Sequence, residues 1–203
     1  MLLVLESQDL GGGGLSNMNS ATVESTDPRL DGVVLKSGPG SIPGKEMCAM
    51  QAVAWLAGDK FCDSPKCACP VIRRFVIKCN DSWNQENRQK LVALIPQIVG
   101  SKSTPQVERA RAYHFADFAI RIVLPALLKK LGHAAEGEKL LALAKITDKA
   151  TAELGRQAAL SVKKFLSADA YAAETPSTET PPPVASSQIC ALKRLKAALE
   201  IGR

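Results

Sequence analysis

A chain of 203 residues, 46% hydrophobic and 23% charged, has the size and composition of one globular domain with appendages. No apolar run approaches the roughly 18 residues of a membrane-spanning helix, and six cysteines are too sparse for a disulfide scaffold, so reduced thiols and a cytoplasmic setting are expected. The net charge of +6 is uneven: residues 1–59 hold three basic against seven acidic residues and residues 60–130 thirteen against five, while 4% aromatic residues exclude a base-stacking platform.

The N-terminus (MLLVLESQDLGGGG) has neither a basic lead nor a long enough apolar stretch for a secretory signal. Residues 1–44, rich in Gly, Ser, Asn, Asp and Pro, read as a flexible or extended arm that cannot bury enough apolar surface to order itself. The helical core is expected over residues 45–173. Its first helix, residues 45–57 (KEMCAMQAVAWLA), is apolar on nearly every side and stops at Gly58, as a buried central helix would. A cysteine-rich connection, FCDSPKCACP, leads to Pro70, which opens an amphipathic helix to about residue 83 with Arg73, Arg74 and Lys78 on one edge.

A third helical stretch, 85–99, is expected to break at Pro96. Thr104 and Pro105 then form a cap and first turn for a helix to about residue 131, bent at Pro125 and ended by Gly132. Helices over 134–144 and 147–172 follow in the same idiom. Four prolines make 174–187 a semi-rigid spacer before a short helix in 188–203. Without sustained alternation or a fixed-period repeat, the fold class is all-α: an irregular helical bundle with an extended N-terminal arm and a short C-terminal helix after a Pro-rich spacer.

Four soft ligands, Cys48, Cys62, Cys67 and Cys69, fall within 22 residues and offer an alternative zinc site, but their spacing lacks the C-x2-C knuckle of structural zinc motifs. Buried or loop thiols, with no metal and no cofactor, are the expectation. Cys48 near a helix N-terminus, with His114 one turn before Asp117, gives an alternative cysteine-dependent hydrolase or transferase. No oxyanion loop accompanies the cysteine, and Asp117 can instead pair with Arg121 or Arg111. Arg73, Arg74, Lys78 and Arg88 are the candidates for a nucleic-acid-associated basic surface. Gln51, Asp63 and Cys67 are assigned to an ordered structural loop: Gln51 bonding the 61–70 segment, Asp63 capping it through backbone amides, and Cys67 packing on the central helix.

The run Cys48-Ala-Met-Gln-Ala-Val-Ala-Trp-Leu-Ala-Gly58, with Asp63-Ser-Pro-Lys-Cys67, Pro70-Val-Ile72, Asn80-Asp81, Leu94-Ile-Pro96 and Arg109-Ala-Arg-Ala-Tyr-His-Phe-Ala-Asp117, resembles a family of uncharacterised proteins from bacteriophage and bacterial genomes. The resemblance implies a helical protein of phage or mobile-element origin, located in the host cytoplasm, and no known activity. This chain carries Gln51 where relatives are expected to have Glu, and lacks a histidine expected before Cys48, so a metal or acid/base site built on those groups could not operate here. The function expected from the residues is a non-enzymatic helical protein-interaction or regulatory protein. Its partner is another protein or a second copy of itself, with no membrane association.

Overall fold

A computed structural model describes residues 27–172 and 185–202 of the chain. It begins with a 3-10 turn, Pro28–Leu30, fixed by Asp27, which accepts from the Arg29 amide at 3.0 Å. Two very short strands follow, β1 (Val34–Leu35) and β2 (Glu46–Met47), paired in parallel with Val34 opposite Glu46. Leu30, Val33, Leu35 and Met47 from this stretch are all buried in the main core. The arm expected through residue 44 is therefore corrected for residues 27–44, which form the edge of the core; residues 1–26 lie outside the described residues.

Helix α1 (Ala49–Leu56) is the centre of the molecule, with seven of its eight residues buried. Cys48 is its N-cap and Gln51 closes a reciprocal capping box. Gly58, at φ +70°, ends the helix in a left-handed conformation that a side chain would resist. Helix α2 (Pro70–Ser82) starts on its proline and buries Ile72, Val76 and Cys79 against α1.

The expected 85–99 helix is divided instead into α3 (Gln85–Gln89), a 3-10 turn at Val92–Leu94, and α4 (Ile95–Ile98). Pro96 sits in the first turn of α4, where its missing N–H costs nothing, so it starts a helix and does not break one. Helix α5 (Pro105–Phe118), capped by Thr104, continues through a wide π-helical turn, Ala119–Val123, into α6 (Leu124–Lys130). The wide turn lies just ahead of Pro125, so the run continues through the position where a regular helix would be bent.

Helix α7 (Ala134–Leu141) folds back on α6, where Gly137 lies so close that an added Cβ would sit 3.1 Å from the Pro125 carbonyl oxygen. With α8 (Lys149–Ala172) these helices enclose a second, smaller core of Leu128, Leu140 and Val162. The last helix, α9 (Ala185–Glu200), returns to the first core, into which it inserts Ala191, Leu195 and Leu199.

The guanidinium of buried Arg111 fixes that return. It donates to the carbonyls of Ala198 (3.0 Å) and Ile201 (2.9 Å) at the end of α9 and to the carbonyl of Ser101. The architecture is thus an irregular all-α fold, a larger core closed by the C-terminal helix and a three-helix satellite. Among the described residues no helix is long and apolar enough to cross a membrane.

Candidate functional site

Side chains cap the N-terminus of α1. Gln51 Oε1 accepts from the amides of Cys48 (3.0 Å) and Gly40 (2.7 Å), and its Nε2 donates to the Gly40 carbonyl at 3.1 Å. Gln51 therefore binds the 37–44 loop and not the 61–70 loop, a correction that follows from the direction of the α1 N-terminus. Gly40 is required there by close approach, since a Cβ would fall 2.2 Å from the Glu46 carbonyl oxygen. Asn80, 1% exposed on α2, accepts from the Ala49 amide at 3.1 Å and donates to the Lys36 carbonyl at 2.8 Å.

Cys48, Asp63, Asn80 and Asp81 line one small cavity of about 80 Å³, together with Gly38, Pro39, Met50 and Ile77. The residues of three separate sequence motifs thus converge at one place. Burial pushes the Cys48 thiol up, the Asp63 and Asp81 carboxylates push it the same way, and amide hydrogen bonds from Gln51 and Met50 do not offset them. A thiol so placed is a cap and not a ready nucleophile. Among the described residues Asp63 takes part in one side-chain hydrogen bond, accepting from Ser64 Oγ at 3.3 Å, and does not cap the loop through backbone amides as expected. The loop is ordered by other contacts: the Cys67 carbonyl accepts from the Lys102 amide at 2.9 Å, the Cys69 amide donates to Ser101 Oγ at 3.0 Å, and Phe61 and Cys67 pack on the main core.

His114 and Asp117 do not join Cys48. The ring Nε2 of His114 lies 3.2 Å from the Arg194 carbonyl of α9, and burial lowers its pKa. Asp117, 2% exposed, is a junction between three elements: it accepts from Arg121 (2.9 Å) and from the Ile146 amide (3.0 Å) and lies 3.7 Å from Arg194. Burial acts to raise the Asp117 pKa, but that amide and the two guanidiniums outweigh it and hold the carboxyl below its ordinary range. The Cys48/His114/Asp117 constellation is consequently not assembled. The alternative zinc set is corrected as well: Cys48 and Cys69 are buried as helix caps, Cys62 and Cys67 are partly exposed, and no three metal-ligating side chains gather among the described residues.

The basic candidates divide. Arg88 is 8% exposed, its guanidinium donating to the Asn80 carbonyl, Gln85 Oε1 and the Trp83 carbonyl at the end of α2, so it is unavailable to a phosphate. Arg73, Arg74 and Lys78 instead border an open groove of about 860 Å³ between α2 and α5, and their charged side-chain ends have no hydrogen-bond or ion-pair partner among the described residues. The floor of that groove is apolar, from Val71 and Phe75 on α2 to Phe115 and Ala116 on α5 and Val123 beyond it. Phe75 and Phe115 stack on each other with ring centres 4.2 Å apart. The apolar α5 wall was missed in the sequence, because its alanines at 112, 116 and 119 give only a weak amphipathic signal.

Comparison of the chain with protein-family models, with curated proteins and with solved structures gives no match.

Proposed function

We propose that this chain is a non-enzymatic helical protein-interaction module whose binding surface is the groove between α2 and α5. The observation that carries the reading is the pairing of a long apolar floor with three cationic side chains that find no partner among the described residues. An apolar trench of this size left open to water is costly, and a partner helix would remove that cost. Support also comes from the fate of the competing constellations: the Cys48 thiol is buried as a cap, while His114 and Asp117 are engaged in holding α9 and the segment at residue 146 to α5.

The test is residue-resolved binding by NMR. Pooled synthetic helical peptides with an apolar stripe, titrated into the isotope-labelled chain, should move the amides of residues 71–78 and 112–123. Shifts confined to the surroundings of Cys48, or no shift with any pool, would overturn the reading.

A further inference from the structure

We infer that the groove between α2 and α5 is built for an acidic amphipathic helix of about three turns, held by its apolar face on the floor and by carboxylates one turn apart on the α2 rim. This inference rests on the protein-interaction reading and adds the chemistry of the partner. Two arguments make the occupant a helix. Both walls are helices whose backbone groups are already bonded internally, so the groove offers no ladder to an extended strand, and the occupant must satisfy its own backbone. The second wall is also a row of small residues, Ala112 and Ala116 on α5 and Ala119 just past its end, that lets a rod approach closely.

The length follows from the same wall. Ala112 and Val123 stand eleven positions apart, about 16 Å at a helical rise of ~1.5 Å per residue. At its far end the apolar floor finishes on Val123, which is 40% exposed. The charge of the occupant follows from the rim. Arg74 and Lys78 are exposed, lie one turn apart on α2, and have Arg73 beside them. A helix carrying Glu or Asp at i and i+4 on one flank presents two carboxylates at the same spacing. A nucleic-acid duplex fits less well, because an apolar floor gives nothing to phosphates and the withdrawal of Arg88 leaves three cations.

The experiment is a selection from a displayed library of fourteen-residue helical peptides, with apolar anchors fixed at i, i+3, i+4 and i+7 and the flanking positions randomised. It is run on the full chain, and the winners are then assayed on the Val123→Glu variant. Val123, Arg74 and Lys78 are exposed side chains, so their variants should fold, and thermal melts are the check. The expected winners carry two acidic residues one turn apart on one flank, lose binding to Val123→Glu, and bind Arg74→Glu/Lys78→Glu about tenfold more weakly. The milder Arg74→Gln/Lys78→Gln pair should give a smaller loss in the same direction.

Winners that need an intact Val123 but show no acidic enrichment would overturn the acidic partner while leaving the groove reading standing. Winners indifferent to Val123→Glu, or none, would overturn both. A DNA duplex of about twenty base pairs that displaces the winners, with a logarithmic salt slope near −3, would overturn the helix in favour of nucleic acid.

Discussion

Arg111→Met tests whether the C-terminal helix is part of the core. Methionine preserves most of the apolar stem, so the substitution removes the three hydrogen bonds to Ala198, Ile201 and Ser101 and opens little cavity. The Ala198 carbonyl belongs to the last turn of α9, where no intrahelical donor reaches it, and the guanidinium also sits at the negative end of the helix. Bonds from a charged donor contribute about 1.5–3 kcal/mol each in a buried site, and partial rehydration of the freed carbonyls lowers the net loss to ~1 kcal/mol apiece. The sum of about 3 kcal/mol corresponds to a fall in Tm of roughly 6–12 °C for a chain of this size. Amide hydrogen exchange should accelerate over residues 185–202 before it does in α1. Arg109→Met, an exposed neighbour on α5, is the control. An Arg111→Met protein that melts within ~1 °C of the parent, with α9 equally protected, would refute the argument that Arg111 holds the helix.

Gln51→Ala leaves the Cys48 and Gly40 amides without their acceptor and should cost about 2–3 kcal/mol, whereas Asp63→Ala should change stability by less than ~0.5 kcal/mol; paired urea melts compare the two. In iodoacetamide labelling near pH 7, exposed Cys190 should react first, and buried Cys48 and Cys79, the latter pushed up to about 12 by burial, should stay unmodified until unfolding. Because burial lowers the folded-state pKa of His114, the unfolded chain takes up that proton first as pH falls below its ordinary 6.5, so stability should decline there and His114→Gln should flatten the decline in pH-dependent melts. Asp117 acts lower: its depressed pKa gives stability that is present above about pH 4 and lost as pH falls through the folded value, a loss that Asp117→Asn should remove from the same curves.

How much of this was legible in the sequence depends on the range of the interaction that decides each feature. Helix ends are decided within four or five residues, and Thr104–Pro105, Pro70, Gly58 and Gly132 mark them where the chain was expected to turn. Residues 27–44 misled because composition averages over a segment that buries only a few side chains. Its Gly and Pro content suits it to follow the N-terminus of α1, where the backbone of Gly40 partners Gln51 and that of Lys36 partners Asn80. Arg88 could not be told from Arg73 or Arg74 by type or spacing. The free carbonyls at the end of α2 claim its guanidinium, while no acid among the described residues comes within reach of the other two.

The groove was the least legible feature, because it belongs to two helices some forty residues apart. Neither sequence stripe shows it alone. Val71 and Phe75 read as ordinary core positions, and a row of alanines reads as bland helix. Only when α5 crosses α2 does the small-residue row become a trough with a cationic edge. A binding surface made of absences, alanines where a core would carry leucines and cations without carboxylates, leaves little hydrophobic periodicity to find. Its chemistry is visible only once the fold has determined which side chains go without partners.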